Sequence, residues 1–342
     1  MTIQYHITHT TTYRYKEPVS FGEHRVMFRP RDSHDLRVLA TDLHVSPESS
    51  IRLIQDPHSN SVALVTPLVA ADLLKIVCTF TIEHAHSQNL ELPLAPSALT
   101  FPFAYSVQER FDLEHYLRPH HDDPQGRLTH WARQFIRTDG PTGTRDLLVQ
   151  MNQCIRDKFR YQARDEEGTQ TPLQTLEAGS GSCRDFALLM MEAARRLGVA
   201  TRFVSGYLYD PNLDPSTAGG PAQSGDPLGA QADAARSAAD GADASISAGE
   251  TLPVFGQPPA PELLDTRGAG STHAWLQAYL PGAGWVPFDP TNNILGGTQL
   301  IRVGVAREPD QAAPVCGSWF GAADAYLGMQ VEVDVHRIGT RG

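Results

Sequence analysis

The sequence predicts an α+β fold, in which a β-rich N-terminal domain precedes a core of helices and strands. Three observations support this prediction. The first 90 or so residues contain short segments rich in β-branched and aromatic residues, which is typical of strands. Helical apolar spacing begins after about residue 105. Apolar alternation then returns on both sides of a turn-like segment at residues 281–284, which is the pattern of a β-hairpin.

The N-terminal domain, predicted over residues 1–100, has the pattern of an antiparallel β-sandwich. Ile3, Tyr5 and Ile7 alternate with polar residues, and residues 61–69 and 73–82 are rich in Val, Ile and Leu. Clusters of Asp, Pro, Ser and Asn separate these segments, as turns separate short strands. Short strands at this spacing predict a sandwich-like domain.

The second domain, predicted over residues 101–342, contains helical patterns at 128–137 and 144–159, and the clearest one begins at Cys183. Ser182 occupies the N-cap position of that helix, and Asp185 follows three residues later, as in a capping box. The helix is predicted to end before Gly198. Its apolar stripe consists of Phe186, Leu189, Met190, Ala193 and Leu197. Near the C-terminus, residues 330–337 alternate Val with charged residues and predict an edge or return strand.

Residues 211–268 differ in composition from the rest of the second domain. They are dense in Ala, Gly, Pro, Ser and Asp, and residues 211–246 contain hardly any large apolar side chain. Such a segment buries too little surface to offset the entropy that ordering would cost. We predict a disordered insertion between two strands of the core. A tolerated surface insertion is the simpler interpretation, and a segment that covers or regulates the functional cleft is the alternative.

The composition argues against several classes of partner. The formal net charge is −11, from 28 basic and 39 acidic residues, which disfavours nucleic acid or an anionic membrane as the main partner. No run of about 18 apolar residues appears, so we expect no membrane-spanning segment. The N-terminal residues show no basic segment followed by an apolar stretch, so we expect no secretory signal.

The cysteines and histidines give no sign of a disulfide framework or a metal site. The four cysteines are scattered without a CxxC pair, at Cys78, Cys154, Cys183 and Cys316. This spacing fits a reducing compartment, so we expect a cytoplasmic protein. The paired histidines have no carboxylate or cysteine partner at a ligand spacing, and they are His84, His86, His120 and His121. We therefore expect neither a metal nor another cofactor.

Cys183 has the sequence context of a catalytic nucleophile. It lies in the first turn of the capped helix, where unpaired backbone N–H groups and the helix dipole favour an anion such as a thiolate. The preceding residues 179–181 are Gly-Ser-Gly, and we expect them to let the backbone approach a substrate closely. The backbone N–H of Cys183 is then a candidate oxyanion donor. A cysteine at a helix start is by itself more often a packed small side chain, so this assignment needs a nearby base.

The hairpin supplies that base and a group to orient it. On its first strand, His273 and Trp275 share one face, and the apolar residues lie on the other. A register that keeps the apolar residues of both strands together places Asp289 on the face of His273. With a loop over residues 280–284, Trp275 faces Asp289 and His273 is its diagonal neighbour. We expect Asp289 to accept the Nδ1 proton of His273, and Trp275 or Trp285 to shield this contact from water.

Four segments resemble the signature blocks of bacterial transglutaminase-like cysteine proteins. They are GSCRDFA at 181–187, SGY at 205–207, HAW at 273–275 and GWVPFDPTN at 284–292. The order of Cys, then His, then Asp is that of the family. The segment HTTTYRY at 9–15, with Pro18-Val19 and Arg29-Pro30-Arg31, resembles the β-rich N-terminal domain of many bacterial members. The resemblance covers nearly the whole chain apart from the insertion.

The resemblance implies a papain-like, transglutaminase-like core with a catalytic triad of Cys183, His273 and Asp289. It also implies acyl transfer through a thioester, with a peptide bond or side-chain amide as the substrate. Papain-like enzymes add a side-chain oxyanion donor upstream of the cysteine. Gln174 and Tyr161 are both candidates for that role, and Trp275 is a further candidate for substrate contact.

The leading functional prediction is a cysteine peptidase or amidase that acts on a peptide or protein. One alternative is a protein-glutamine transglutaminase, in which an amine instead of water resolves the thioester. The other is a non-catalytic peptide-binding scaffold, because some members of the superfamily have lost their chemistry. The complete triad argues against the scaffold.

Overall fold

The computed structural model describes residues 2–85, 92–164, 168–214, 267, 270–297 and 299–341. The insertion predicted at 211–268 therefore lies outside the described residues, apart from residues 211–214 and 267. The described residues confirm an α+β fold with a strand-rich N-terminal region.

Strands make up most of the regular structure. In chain order they are β1 (Thr2–Phe21), β2 (His24–Val26), β3 (Leu36–Ser46), β4 (Ser49–Gln55), β5 (Ser61–Pro67), β6 (Ala71–Ala85), β7 (Thr100–Phe101), β8 (Thr142–Gly143), β9 (Arg160–Tyr161), β10 (Ser180–Gly181), β11 (Thr201–Leu208), β12 (Thr272–Leu280), β13 (Gly284–Asp289), β14 (Ile294–Leu295), β15 (Leu300–Ala306), β16 (Val315–Cys316), β17 (Trp319–Phe320) and β18 (Tyr326–Arg341).

The α-helices among the described residues lie between residues 107 and 196. They are α1 (Val107–Asp112), α2 (Glu114–Leu117), α3 (Arg127–Arg133), α4 (Thr144–Lys158), α5 (Pro172–Ala178) and α6 (Cys183–Arg196). The helix predicted at 128–137 is shorter than expected, because the N–H groups of Gln134, Phe135 and Ile136 bond three residues back instead of four. Within the described ranges, none of these helices has the length and apolar character needed to cross a membrane.

Two antiparallel sheets form the N-terminal region. One has the order β17-β1-β6-β3, with β18 also paired to β1, and the other has the order β16-β2-β5-β4. Tyr5 and Ile7 of β1 are buried and alternate with partly exposed residues, as the sequence predicts. They share a hydrophobic cluster with Phe80 of the first sheet and with Val62 and Val65 of the second. The sandwich-like arrangement is thus confirmed.

The C-terminal strand β18 belongs to the N-terminal sheet. It pairs with β1 from Thr2 opposite Arg341 to Tyr15 opposite Tyr326. This is the return strand predicted at 330–337, extended in both directions. Residues on both sides of the domain boundary predicted at residue 100 therefore share one sheet.

The second region is built around α6 and a five-stranded sheet of order β14-β13-β12-β11-β15. Phe186 and Met190 of α6 pack with Leu276 and Phe288 of the sheet in one hydrophobic cluster. The sequence predicted a single apolar stripe, but nearly every residue of α6 is buried. The reason is that α3, α4 and α5 contact the sides of α6 that the sheet leaves uncovered.

The two regions share a buried interface. Tyr207 and Ile301 of the core sheet belong to the hydrophobic cluster of the N-terminal sheets. The hydroxyl of Tyr207 lies 2.8 Å from Nδ1 of His9, whose pKa burial lowers to about 3, so this ring is neutral. The side-chain amide of Asn60 bonds both the N–H and the C=O of Val305, at 2.9 and 2.7 Å. These contacts fix β11 and β15 against the N-terminal region.

Candidate active site

Cys183 is the first residue of α6, and only 8% of its surface is exposed. The start of the helix is held by Asp185, whose Oδ2 accepts hydrogen bonds from the N–H and the hydroxyl of Ser182 at 2.8 and 2.9 Å. Its Oδ1 accepts from Arg164 at 3.0 Å and from the N–H of Gln170 at 2.7 Å. The predicted role of Asp185 in capping is confirmed. Both oxygens of this buried carboxylate are bonded, which fixes the first turn beside Cys183.

The glycines before Cys183 have structural roles in addition to the expected one. Gly179 has a φ of 57° and forms the C-cap of α5, a left-handed conformation that favours glycine. Gly181 pairs with Tyr161 in the short parallel contact between β9 and β10. A Cβ atom at Gly181 would lie 2.8 Å from the Cβ of Asp185. The glycines therefore serve a helix end and the packing of the capping carboxylate.

The hairpin of β12 and β13 brings His273 and Asp289 into contact. Leu276 pairs with Phe288, which is the register predicted from the apolar alternation. The next pair in that register sets Trp275 opposite Asp289, so His273 is the diagonal neighbour. His273 Nε2 lies 2.8 Å from Asp289 Oδ2, and both side chains are fully buried.

The imidazole nitrogen that contacts Asp289 is not the one predicted. We expected Nδ1, but the structure places Nε2 against the carboxylate. A diagonal contact to the next strand spans a longer distance than a direct one. Nε2 is farther from the backbone than Nδ1, so Nε2 is the nitrogen that reaches Asp289. Nδ1 is buried and has no hydrogen-bond partner among the described residues. Cys183 interacts with the same ring and contributes to the raised pKa of His273.

Opposite shifts in pKa make His273 and Asp289 an ion pair. Burial by itself would lower the pKa of His273, but Asp289 and, to a smaller extent, Cys183 raise it above its ordinary value. Burial would raise the pKa of Asp289, but His273, Asn292 and the N–H of Thr291 lower it below its ordinary value. We conclude that His273 is protonated and Asp289 is ionised near neutral pH.

Thr291 and Asn292 complete the surroundings of Asp289, although neither was among the predicted site residues. The Thr291 N–H donates to Oδ1 and the Asn292 Nδ2 to Oδ2, each at 2.9 Å. Asn292 also bonds the backbone C=O and N–H of Arg267, at 3.2 and 2.9 Å. The Asp-Pro-Thr-Asn segment is a turn sequence in which an Asp side chain commonly accepts a backbone N–H two residues on. The sequence therefore indicates the hydrogen bond from the Thr291 N–H to Asp289. Nothing local indicates the contact with Arg267.

Trp275 is the tryptophan that covers the ion pair. Its ring stacks on His273, with centroids 6.0 Å apart and planes inclined by 26°. It packs against Val204 and Leu208, and only 1% of its surface is exposed. This burial places Trp275 behind the imidazole, where it offers no surface to a substrate. Trp285 instead stacks on the guanidinium of Arg202.

Of the two predicted oxyanion donors, Tyr161 lies near the nucleophile. Burial, with smaller contributions from the neighbouring Cys183 and Asp289, raises the pKa of Tyr161 to about 12, so its hydroxyl is protonated and able to donate at neutral pH. Gln174 is exposed, and its side-chain oxygen accepts bonds from the N–H and hydroxyl of Thr171 at 2.8 and 3.0 Å. Gln174 therefore caps α5.

The described residues contain no group of three or more His, Cys, Asp or Glu side chains arranged to hold a metal ion. The ring nitrogens of His120 and His121 lie 3.9 and 3.6 Å from Glu308. Their backbone N–H groups bond the buried carboxylate of Glu192. These residues thus belong to a structural network at the end of α6. His86 lies outside the described residues.

Two family models match the chain. The model of the transglutaminase-like superfamily core matches residues 129–290, and that of the bacterial transglutaminase-like N-terminal region matches residues 5–83. The core of the chain, residues 129–290, belongs to the transglutaminase-like superfamily. The first match contains Cys183, His273 and Asp289, and the family resemblance of the sequence is confirmed.

Individual proteins are similar to this chain to different degrees, and one solved structure shares its fold. A solved structure from Cytophaga hutchinsonii, provisionally assigned as a cysteine protease, has a TM-score of 0.63 at 17% identity and covers 100% of this chain and 93% of that chain. The periplasmic domain of TgpA from Pseudomonas aeruginosa is more distant, with a TM-score of 0.33 at 11% identity over 84% of this chain and 88% of that chain. An uncharacterized protein of Mycobacterium leprae (strain TN) is 23% identical over 328 residues, which are 96% of this chain and 97% of the relative.

The ion pair predicts a specific pH dependence of stability for Asp289→Asn. In the unmodified chain, the pKa of His273 is higher in the folded state than in the unfolded state, and this difference stabilises the fold fully below about pH 6.5. The stabilisation is lost only when the pH rises through the pKa of the folded state. Without the carboxylate, burial lowers the pKa of His273 instead. The unfolded variant then takes up a proton below about pH 6.5 that the folded variant does not, so its stability falls.

Thermal unfolding of both proteins between about pH 8 and about pH 5 tests this expectation. The difference in Tm should widen as the pH falls. Asp310→Asn, which alters an exposed carboxylate, should show a difference from the unmodified chain that does not change with pH. An equally constant difference for Asp289→Asn would mean that His273 and Asp289 are not an ion pair.

Proposed function

We propose that Cys183, His273 and Asp289 are the catalytic triad of a thiol acyl-transfer enzyme, and that this enzyme is a cysteine peptidase or amidase. The observation that carries the proposal is the buried contact of His273 Nε2 with Asp289, which leaves Nδ1 of the imidazole available to the neighbouring thiol. Membership of the transglutaminase-like superfamily supports a thiol enzyme.

In the first half of the proposed reaction, the thiol proton resides on His273 Nδ1 and the sulfur attacks the carbonyl carbon of an amide. The Cys183 N–H, at the unpaired start of α6, and the Tyr161 hydroxyl are the candidate donors to the resulting oxyanion. The C–N bond then breaks, Nδ1–H protonates the departing amine, and the acyl group remains on sulfur as a thioester. Asp289 holds Nε2 throughout, so that Nδ1 alone exchanges protons.

In the second half, a water molecule attacks the thioester carbonyl and gives its proton to Nδ1. The C–S bond breaks, the carboxylic acid leaves, and the resting pair of thiolate and imidazolium is restored. An amine in place of water would give a new amide and a transglutaminase reaction. The provisional assignment of the Cytophaga hutchinsonii protein as a cysteine protease favours water.

A glutamine-containing peptide incubated with the protein and a fluorescent primary amine separates the two outcomes. We expect release of ammonia or peptide cleavage without incorporation of the amine, because water completes the proposed reaction. Cys183→Ala should lower either rate by at least about a thousandfold, since it removes the nucleophile. Incorporation that outpaces hydrolysis would establish amine transfer, and full activity of Cys183→Ala would exclude the triad.

Alkylation by iodoacetamide tests the nucleophile without knowledge of the substrate. Near about pH 6 we expect Cys183 to react at least about tenfold faster than Cys316, because the imidazolium favours the reactive thiolate. Cys316 is an exposed free cysteine of the same chain and serves as the internal control in peptide mapping by mass spectrometry. His273→Ala should slow Cys183 to the rate of Cys316 or below while Cys316 keeps its rate. Equal rates for both cysteines in the unmodified chain would exclude an activated Cys183 and favour a non-catalytic scaffold.

A pair of variants assigns the oxyanion donor. Tyr161→Phe should lower kcat about tenfold to a thousandfold with little change in KM, because one donor to the developing charge is lost. Gln174→Ala should leave kcat unchanged and cost roughly 1 kcal/mol of stability through the loss of the α5 cap. Steady-state kinetics and urea unfolding of both variants supply the comparison, and the opposite pattern in kcat would assign the role to Gln174.

A further inference from the structure

Two cavities among the described residues lie away from Cys183, and they differ in the charges that line them. The larger, of about 680 Å³, borders α3, and its charged lining residues Arg127 and Arg133 are exposed. The smaller, of about 320 Å³, is lined by a largely buried cation together with aromatic and acidic residues. We call it the Arg202 pocket, and the lining residues that matter are Glu109, Asp112, Tyr116, Arg202, Tyr279 and Trp285.

The guanidinium of Arg202 lies in this pocket without a carboxylate partner among the described residues. Its Nε donates to the side-chain oxygen of Gln277 at 2.8 Å, and its Cζ lies 4.2 Å from the centroid of the Trp285 ring. Burial lowers the pKa of Arg202 to about 9; the positive charges of Arg302 and Arg31 add to this shift, and Tyr116 opposes it. A cation removed from water without an anion is costly, so this side of the pocket favours an anionic group.

Aromatic rings form the walls of the Arg202 pocket. Trp285 meets Tyr116 and Tyr279 edge-on, with centroids 5.2 and 5.4 Å apart. The hydroxyl of Tyr116 lies 3.0 Å from Nδ1 of His58, so the N-terminal region fixes this wall. Apolar walls exclude water and strengthen an ion pair made beside them.

The outer part of the pocket has the opposite charge. Glu109 and Asp112 belong to α1, and Asp112 is exposed whereas Arg202 is mostly covered. Glu109 accepts a hydrogen bond from the Tyr279 hydroxyl at 3.4 Å, so one acidic group is fixed beside an aromatic wall. The lining thus carries one inner positive charge and two outer negative charges.

We propose that the Arg202 pocket binds a small zwitterion, an amino acid or dipeptide with free termini, whose carboxylate contacts Arg202 and whose ammonium faces Glu109 and Asp112. A guanidinium recognises a planar carboxylate through two parallel hydrogen bonds. The two outer carboxylates disfavour a multiply charged phosphate and attract an ammonium group. The volume lies at the lower end of ligand sites, which begin at about 300 Å³. Because none of Cys183, His273 and Asp289 lines the pocket, the proposal is independent of the proposed function.

Calorimetric titration of the full chain with alanyl-alanine tests the proposal. Cys183→Ala is introduced in every protein of the series, so that no probe is consumed. We expect saturable binding that weakens at least about tenfold in Arg202→Gln, because a hydrogen-bonded charge contact is lost. Arg110→Gln, an exposed change on the same helix α1 that does not line the pocket, should bind as the unmodified pocket does.

Chemical variants of alanyl-alanine identify which of its two termini the Arg202 pocket recognises. N-acetyl-alanyl-alanine, which lacks the ammonium, should bind more weakly than alanyl-alanine, and alanyl-alanine amide, which lacks the carboxylate, should not bind. Asp112→Asn should reduce the advantage of alanyl-alanine over its N-acetyl form about twofold to fivefold. This change is at an exposed residue and gives a result even if Arg202→Gln fails to fold.

Three results would overturn the proposal. They are the absence of binding up to about 10 mM alanyl-alanine, binding that Arg202→Gln leaves unchanged, and phosphate binding as tight as that of the dipeptide.

Discussion

The contact between His273 and Asp289 is the interaction on which the rest of the core depends. Two charged groups removed from water cost several kcal/mol each unless their hydrogen-bonding atoms are satisfied. Oδ1 of Asp289 is taken by Thr291, and Oδ2 is shared by His273 and Asn292. The pair therefore requires the hairpin register, the turn after β13 and the covering ring of Trp275 at the same time. A slip of one residue in the hairpin would move His273 and Asp289 to opposite faces of the sheet.

Much of this arrangement could be predicted from the sequence because it follows from local periodicity. The alternation on β12 and β13 determines which residues share a face, and a period of two leaves little freedom once one face is buried. The capping of α6 by Asp185 is equally local. The orientation of the imidazole is not, because it depends on a side-chain rotamer and on the distance to the neighbouring strand. The role of Asn292 is also not local, because its second partner, Arg267, lies 25 residues earlier in the chain.

Other departures from the sequence predictions have the same origin. The sequence of α6 shows one apolar stripe, yet Glu192 and Arg195 are also fully buried. Their burial is possible because Arg195 bonds both Glu192 and Glu308, at 2.9 and 2.7 Å, and Glu308 follows α6 by more than a hundred residues. Gln174 has the residue type of an oxyanion donor but is used by its own helix. Residue type and spacing thus predict the elements, whereas contacts between distant segments decide how individual polar side chains are used.

The pairing of β18 with β1 bears on how such a chain can evolve. The two family models match separate segments, at 5–83 and 129–290, as if the parts were independent modules. In the fold, however, the segment matched by the core model is enclosed between two strands of one ladder. An exchange of the core by recombination has to preserve β1 before it and β18 after it. Without β18, the backbone edge of β1 would be open to strand addition by other molecules. The core thus has the position of a domain inserted into a sandwich, and the sandwich is complete only when the segments on both sides of the core are present.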